Sequence, residues 1–280
     1  MSVLSDQTCL VIGGGRGIGR AVSLLFAREG AKVMVADTGV DLDGSGGDPG
    51  VAKAVVEEIR SAGGVAESSA EDATLAGGAE RLVKACTDAW GRLDALVYAA
   101  GIVVDRSLVR ADEESFDRVV RTHLGGSFHA TRAAAAVMAR AGKGRIVLTT
   151  STAGLLGNFG QVAYSAAAAG VYGLLRAASI ELQRNRVFVN GVAPLAKTRA
   201  TEKLPLFETV DTMTPEHAAA PYLFFASELS GEATGNVLGV AGGRLSAWKL
   251  GESSGKFKEA DGGVWTATEI QGAFETFSRL

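Results

Sequence analysis

The stretch "TCLVIGGGRGIGRAVSLLFAREGAKVMVAD", Thr8 to Asp37, reads as strand, turn, helix and strand in one continuous run. Thr8–Ile12 is short, apolar and rich in β-branched residues, as a strand buried on both faces must be. Gly13, Gly14, Gly15, Gly17 and Gly19 follow and lead into the amphipathic segment Ile18–Gly30. Glycines permit a tight turn and a close backbone approach, so the helix start can offer unpaired N–H groups and its positive dipole end to a diphosphate. A glycine pattern alone is weak evidence. Here it follows a strand, opens a helix and precedes Asp37 at the end of a second strand, Lys32–Ala36, at the distance that sets a carboxylate on ribose hydroxyls. Gly13, Arg16, Gly17, Ile18, Gly19 and Asp37 are therefore candidate dinucleotide-binding residues. A carboxylate accepts hydrogen bonds from a ribose 2′-OH and repels a 2′-phosphate, so NAD is favoured over NADP. Arg16 keeps NADP open as the alternative, since a cation in this loop can pair with a 2′-phosphate; it reads equally as a solvated side chain or a diphosphate neighbour.

The same rhythm continues outward. Ala95–Tyr98, Arg145–Thr149, Phe188–Val192 and Val237–Val240 are further strand candidates, with another before "SAEDAT". Helical segments are predicted at Val51–Ala62, Thr74–Trp90, Glu113–Arg140, Gln161–Asn185 and Pro215–Glu228. The predicted fold class is α/β, a doubly wound parallel (Rossmann) sheet forming a single domain over residues 1–280, with a C-terminal extension from about 241. Thr38–Gly50, "TGVDLDGSGGDPG", has the Gly, Asp and Pro content of a long inserted surface loop. The extension carries "DGGVWTATEI" and a last helix that Thr266 can cap.

The chain has 280 residues, 47% hydrophobic and 21% charged, with a formal net charge of −3. That balance leaves no basic surplus for nucleic acid. No apolar run approaches the roughly 18 residues that cross a bilayer, and residues 1–8 carry no secretory pattern, so the reading is cytoplasmic with no membrane partner. Cys9 and Cys86 have no CxxC spacing and read as buried thiols, and His123, His129 and His217 belong to no metal-binding cluster, so no metal site is expected.

Gly13-x-x-x-Gly17-Ile18-Gly19, "AAG" at Ala99–Gly101, Ser151, and Tyr164 thirteen residues later resemble the short-chain dehydrogenase/reductase family over most of the chain. "DRSLVRADEESFDRVVRTHLGGSFHATRAA", "GRIVLTTSTAGLLGNFGQVAYSAAAAG" and "VAPLAKTR" look most like the (3R)-hydroxyacyl-CoA dehydrogenase domains of multifunctional β-oxidation enzymes, which share the long loop after strand two and the extended C-terminus. The resemblance implies hydride transfer between nicotinamide and a 3-hydroxyacyl/3-oxoacyl thioester or related, polyketide-like ketone. It implies that Tyr164 exchanges the proton, that Ser151 hydrogen-bonds the substrate oxygen, and that Leu155, Phe159 and Gln161 line the substrate side. Ala99, Ala100, Gly101, Thr149 and Pro194 fall at its cofactor wall. Asp72, with Ala73 beside it, resembles the acid that meets the adenine amine; a loop-capping aspartate is the other reading. The family also implies a homo-oligomer, dimer or tetramer, to which the Ala- and Gly-rich helices predicted at Glu113–Arg140 and Gln161–Asn185 lend themselves.

One position breaks the pattern. The family's lysine, four residues after the tyrosine, is Ala168. Alanine can neither hold the nicotinamide ribose nor lower the tyrosine pKa, so the catalytic set is impaired. With no cation nearby only on the order of one tyrosine in a thousand is phenolate at pH 7. His123, where the family's usual residue is asparagine, is either a proton relay or a helix residue bonded to backbone. Two other functions therefore stay open: a non-redox cyclase or dehydratase using Tyr164, Ser151 and His123, and a cofactor-binding protein without catalysis. Asp105, Arg106, Glu113 and Glu114 read as the solvated start of a helix, and Trp248 and Trp265 as core or interface anchors.

Overall fold

A computed structural model describes residues 2–202, 204, 206, 212–259 and 262–278. The chain divides into two compact units, Met1–Ala247 and Trp248–Leu280. In the first, β1 (Thr8–Ile12), β2 (Lys32–Ala36), β3 (Val65–Ser69), β4 (Ala95–Tyr98), β5 (Gly144–Thr149), β6 (Val187–Leu195), β7 (Val237–Ala241) and β8 (Arg244–Trp248, its last residue at the unit boundary) form one sheet in the order β3-β2-β1-β4-β5-β6-β7-β8. Every pairing from β3 through β7 is parallel. The side chains alternate as the pleat requires. Val11, Val35, Val97 and Val147 stand in register and pack with α1 (Gly17–Arg28), α2 (Gly50–Ser61) and α8 (Pro215–Ala226) in one core that includes Phe26, Val56, Tyr222 and Phe225. Leu10, Leu96 and Ile146, one residue out of phase and fully buried, face the opposite side. There lie α3 (Gly78–Trp90), α5 (Gly126–Ala141) and α7 (Val162–Leu182).

Three elements differ from the sequence reading. The helix predicted over Glu113–Arg140 is interrupted: α4 (Glu113–Val120), capped by Asp112 accepting from Ser115 N–H at 2.8 Å, passes through a π turn at Arg121–Gly125 into α5. The wider turn diverts carbonyls from their ordinary partners. The Tyr98 hydroxyl donates to the Thr122 carbonyl and the Ser127 hydroxyl to that of His123, each at 2.6 Å. α3 starts at Gly78 rather than Thr74, because Asp72 draws the Thr74 N–H into a local turn at 2.8 Å. β8 follows β7 after only Gly242 and Gly243, a link too short for a parallel crossover, so the sheet gains an antiparallel edge strand. The first unit thus continues beyond position 241, where the extension was expected to begin.

In the second unit, α9 (Ala267–Phe277) opens on a capping box in which the Thr266 and Glu269 side chains each accept the other's backbone N–H. Lys258 donates to Glu269 at 2.7 Å and lies over Trp265, which is 37% exposed rather than a core anchor. Asp261, which heads "DGGVWTATEI", lies outside the described residues. Among the described residues no helix is long and apolar enough to cross a membrane, and no His, Cys, Asp and Glu side chains assemble to hold a metal. Cys9 and Cys86 are buried free thiols, and burial pushes Cys86 up to about 12.

Candidate functional site

Parallel strands end on the same edge of the sheet, so the loops after β1, β2, β3, β4, β5 and β6 meet there. They enclose a cleft of about 500 Å³, a volume in the range of cofactor sites. Gly13, Arg16, Gly17, Ile18, Gly19, Asp37, Asp72, Ala73, Ala99, Ala100, Gly101, Thr149, Tyr164, Pro194 and His123 all line it.

The glycine loop is tight because it must be. Gly13 has φ +79°, and a Cβ there would lie 2.4 Å from the Ala100 backbone nitrogen, so the loops after β1 and β4 touch main chain to main chain. Arg16 precedes α1 in extended conformation and supplies no side-chain cap to the first helical N–H groups. Beside them the Asp37 carboxylate is fixed by two backbone donors, Gly15 N–H at 2.9 Å and Gly39 N–H at 2.7 Å. Each carboxylate oxygen keeps acceptor capacity beyond one such bond. Uncapped helix start, fixed acid and cleft volume fit a dinucleotide. The Arg16 guanidinium donates to the Val40 carbonyl at 2.8 Å, turned to the inserted loop.

At the other end, Ser151 caps α6 (Thr152–Leu156) by accepting from Ala153 N–H at 3.1 Å; it is not among the residues lining the cleft. Burial, opposed by the nearby Ser151 hydroxyl and joined by the Asp105 carboxylate, holds the Tyr164 phenol above the ordinary tyrosine range. Ala168 lines the cleft one turn along α7, 3% exposed, with its carbonyl accepting from the Thr150 hydroxyl at 2.9 Å.

His123 reaches the cleft wall edge-on to Tyr164, with ring centroids 5.0 Å apart. Its Nε2 lies 2.9 Å from the Ile102 carbonyl oxygen and 3.2 Å from the Ile102 nitrogen, so backbone engages that atom whichever tautomer is present. Burial lowers its pKa and leaves the ring neutral at pH 7. Thr149 has its hydroxyl occupied too, donating to the Tyr98 carbonyl and paired with the Tyr222 hydroxyl, each at 2.7 Å.

Of the substrate-side residues, Gln161 lines the cleft, while Leu155 and Phe159 are not among the lining residues and Phe159 is 94% exposed. Sequence reasoning missed Asp105. It stands on the cleft rather than in a helix and accepts from Gln161 Nε2 at 2.8 Å. Arg118, Arg121 and Arg199 also line the cleft.

Comparison with known proteins gives the same outline. The short chain dehydrogenase family model matches residues 7–206. Peroxisomal multifunctional enzyme type 2 of Mus musculus is 43% identical over 237 residues, 85% of this chain; the chain spans only 32% of that longer protein. The 3-oxoacyl-[acyl-carrier-protein] reductase of Thermotoga maritima is 35% identical, over 86% of this chain and 98% of its own. The crystal structure of a short chain dehydrogenase from Mycobacterium avium superposes with a TM-score of 0.87 at 38% identity, covering 99% of this chain and 96% of that one. The chain belongs to the short chain dehydrogenase family of nicotinamide-dependent oxidoreductases.

Proposed function

We propose that the chain is an NAD-linked oxidoreductase whose favoured direction is reduction of a 3-oxoacyl thioester or related ketone to the 3-hydroxy product. The observation that carries this reading is the position of the Tyr164 phenol, which burial holds above the ordinary tyrosine range, in the same cleft as the glycine loop and the fixed Asp37 carboxylate. The bound nicotinamide supplies or accepts the hydride. Tyr164 and Ser151 would hold the ketone oxygen, and the Tyr164 phenol would deliver the proton as the carbonyl is reduced. Reduction needs the acid form, which the environment preserves; oxidation needs phenolate, which burial and the missing cation at 168 both disfavour.

Asp37 supports NAD over NADP, because its fixed charge repels a 2′-phosphate. His123, bonded to Ile102, serves in this reading as a wall and not as a relay, which weakens the non-redox alternative. The relatives' names support a thioester: one is a 3-oxoacyl-[acyl-carrier-protein] reductase. We also propose a homo-oligomer and, because both thiols are buried and free, a reducing cytoplasmic setting. The test is nicotinamide absorbance followed in both directions over a panel of 3-oxoacyl and 3-hydroxyacyl thioesters and cyclic ketones. Reductive turnover exceeding oxidative supports the reading; substrate conversion with no absorbance change overturns it.

A further inference from the structure

The inserted loop after β2 is built as a closed body. Its neck is pinched where Asp48 N–H donates to the Thr38 carbonyl at 3.0 Å, and a Cβ on Gly39 (φ +69°) would lie 2.1 Å from the Asp48 carbonyl oxygen. Its tip is a turn in which Asp41 N–H donates to Ser45 at 2.8 Å and Gly44 N–H to Asp41 at 3.0 Å. Compact loops with adjoining ends hold their shape through their own contacts.

This body is fastened to three other segments. Arg16 of the glycine loop donates to the Val40 carbonyl at 2.8 Å, and Arg199, beyond β6, donates to the same oxygen at 3.0 Å. Val103 N–H, beyond β4, donates to the Leu42 carbonyl at 2.7 Å. In the sheet, β1, β4 and β5 separate β2 from β6, four strand spacings or roughly 19 Å. A loop that leaves β2 and is tied beyond both β4 and β6 therefore crosses the edge where the cleft opens. Val40, Leu42 and Gly44 line that cleft.

We propose that Arg16 and Arg199 strap the loop Thr38–Gly50 across the dinucleotide cleft, so that the cofactor is retained between turnovers rather than exchanged freely. This rests on the dinucleotide reading above. Opening the cleft requires loss of the bond to Val103 and of two guanidinium bonds on one carbonyl, so release is gated by the strap. Both arginines act as positioning residues for the loop.

The test is the dissociation rate of NADH, read by stopped-flow as loss of its bound-state fluorescence on chase with excess NAD. Arg199→Ala is expected to speed release at least tenfold and Arg199→Lys by less, since lysine keeps the charge but not the fork. Hydrogen exchange should independently show the Val103 amide protected in the unmutated protein and exchanging faster in Arg199→Ala. Equal release rates in the unmutated protein and Arg199→Ala, both binding NADH, overturn the strap alone. Failure of the unmutated protein to bind NADH overturns the dinucleotide reading instead.

Discussion

Replacing Ala168 by lysine puts an ammonium group one helical turn from the Tyr164 phenol, on the face of α7 that borders the cleft. The direction of the side chain is set by packing: a Cβ on Gly154 would lie 2.8 Å from the Ala168 Cβ, so α6 closes one side and the cleft is the open one. Side chains four apart on a helix are about 5–6 Å apart at Cβ. At that separation, with an effective dielectric near 20, a unit charge favours phenolate by about 3 kcal/mol, or about two pKa units. Burial now holds the phenol above its ordinary value, so less than about one molecule in a thousand is ionised at pH 7. Ala168→Lys is then expected to raise oxidation of a 3-hydroxyacyl thioester about a hundredfold at pH 7 and to move the alkaline rise of the oxidation profile about two pH units lower. At a given pH the equilibrium constant ties the two directions together, so the pH profile of oxidation, and not a difference in gain between oxidation and reduction, carries the prediction. The assay is nicotinamide absorbance in both directions, pH 6 to 10, with NADH binding checked first. Unchanged oxidation in a variant that folds and binds NADH, or a gain with no shift of the pH profile, refutes the electrostatic argument.

Asp37→Ala should narrow the preference for NAD by weakening NAD and relieving repulsion of NADP; calorimetry showing NADP tighter in the unmutated chain contradicts this. Burial keeps His123 neutral and its folded pKa below the unfolded 6.5 or so, so its contribution to stability is complete above that pH and is lost as pH falls through the folded pKa. Urea midpoints should therefore fall below about pH 6.5, by up to about 1.4 kcal/mol per pH unit, and His123→Asn should flatten the slope; an unchanged slope refutes the assignment. The exposed stripe Ala166, Ala169, Gly173, Ala177 and Ile180 on α7 is expected to be covered by a second copy, and a monomer mass by light scattering at micromolar concentration would contradict that.

The βαβ core was readable because its signals are local: β-branched runs, glycines at a turn, an acid at a strand end. Strands β1, β2 and β4 carry the boundaries the apolar runs predict. The π turn at Arg121–Gly125 was not, since the hydroxyl that satisfies its Thr122 carbonyl belongs to Tyr98 on another strand. Asp105 misled for a related reason. Next to Arg106 it looks like a solvated helix start, and only Gln161, far along the chain, brings it to the cleft. The loop Thr38–Gly50 was visible as an insertion from its Gly, Asp and Pro content, but its fastening to Val103 and Arg199 was not, because neither donor shows a local pattern. β8 escaped because "RLSAW" buries little and has no clear alternation.

Hydride transfer onto a ketone with Tyr164 as proton donor can be followed in a single turnover with NADH deuterated at nicotinamide C4, the enzyme in excess, a 3-oxoacyl thioester as substrate, and mass spectrometry of the product, run beside Tyr164→Phe. One deuterium is expected at C3 of a 3-hydroxyacyl product when the transferred hydrogen carries the label, with a loss of rate of at least a hundredfold in Tyr164→Phe and NADH binding retained. Product formed without deuterium and without oxidation of NADH, or an undiminished rate in Tyr164→Phe, would contradict it.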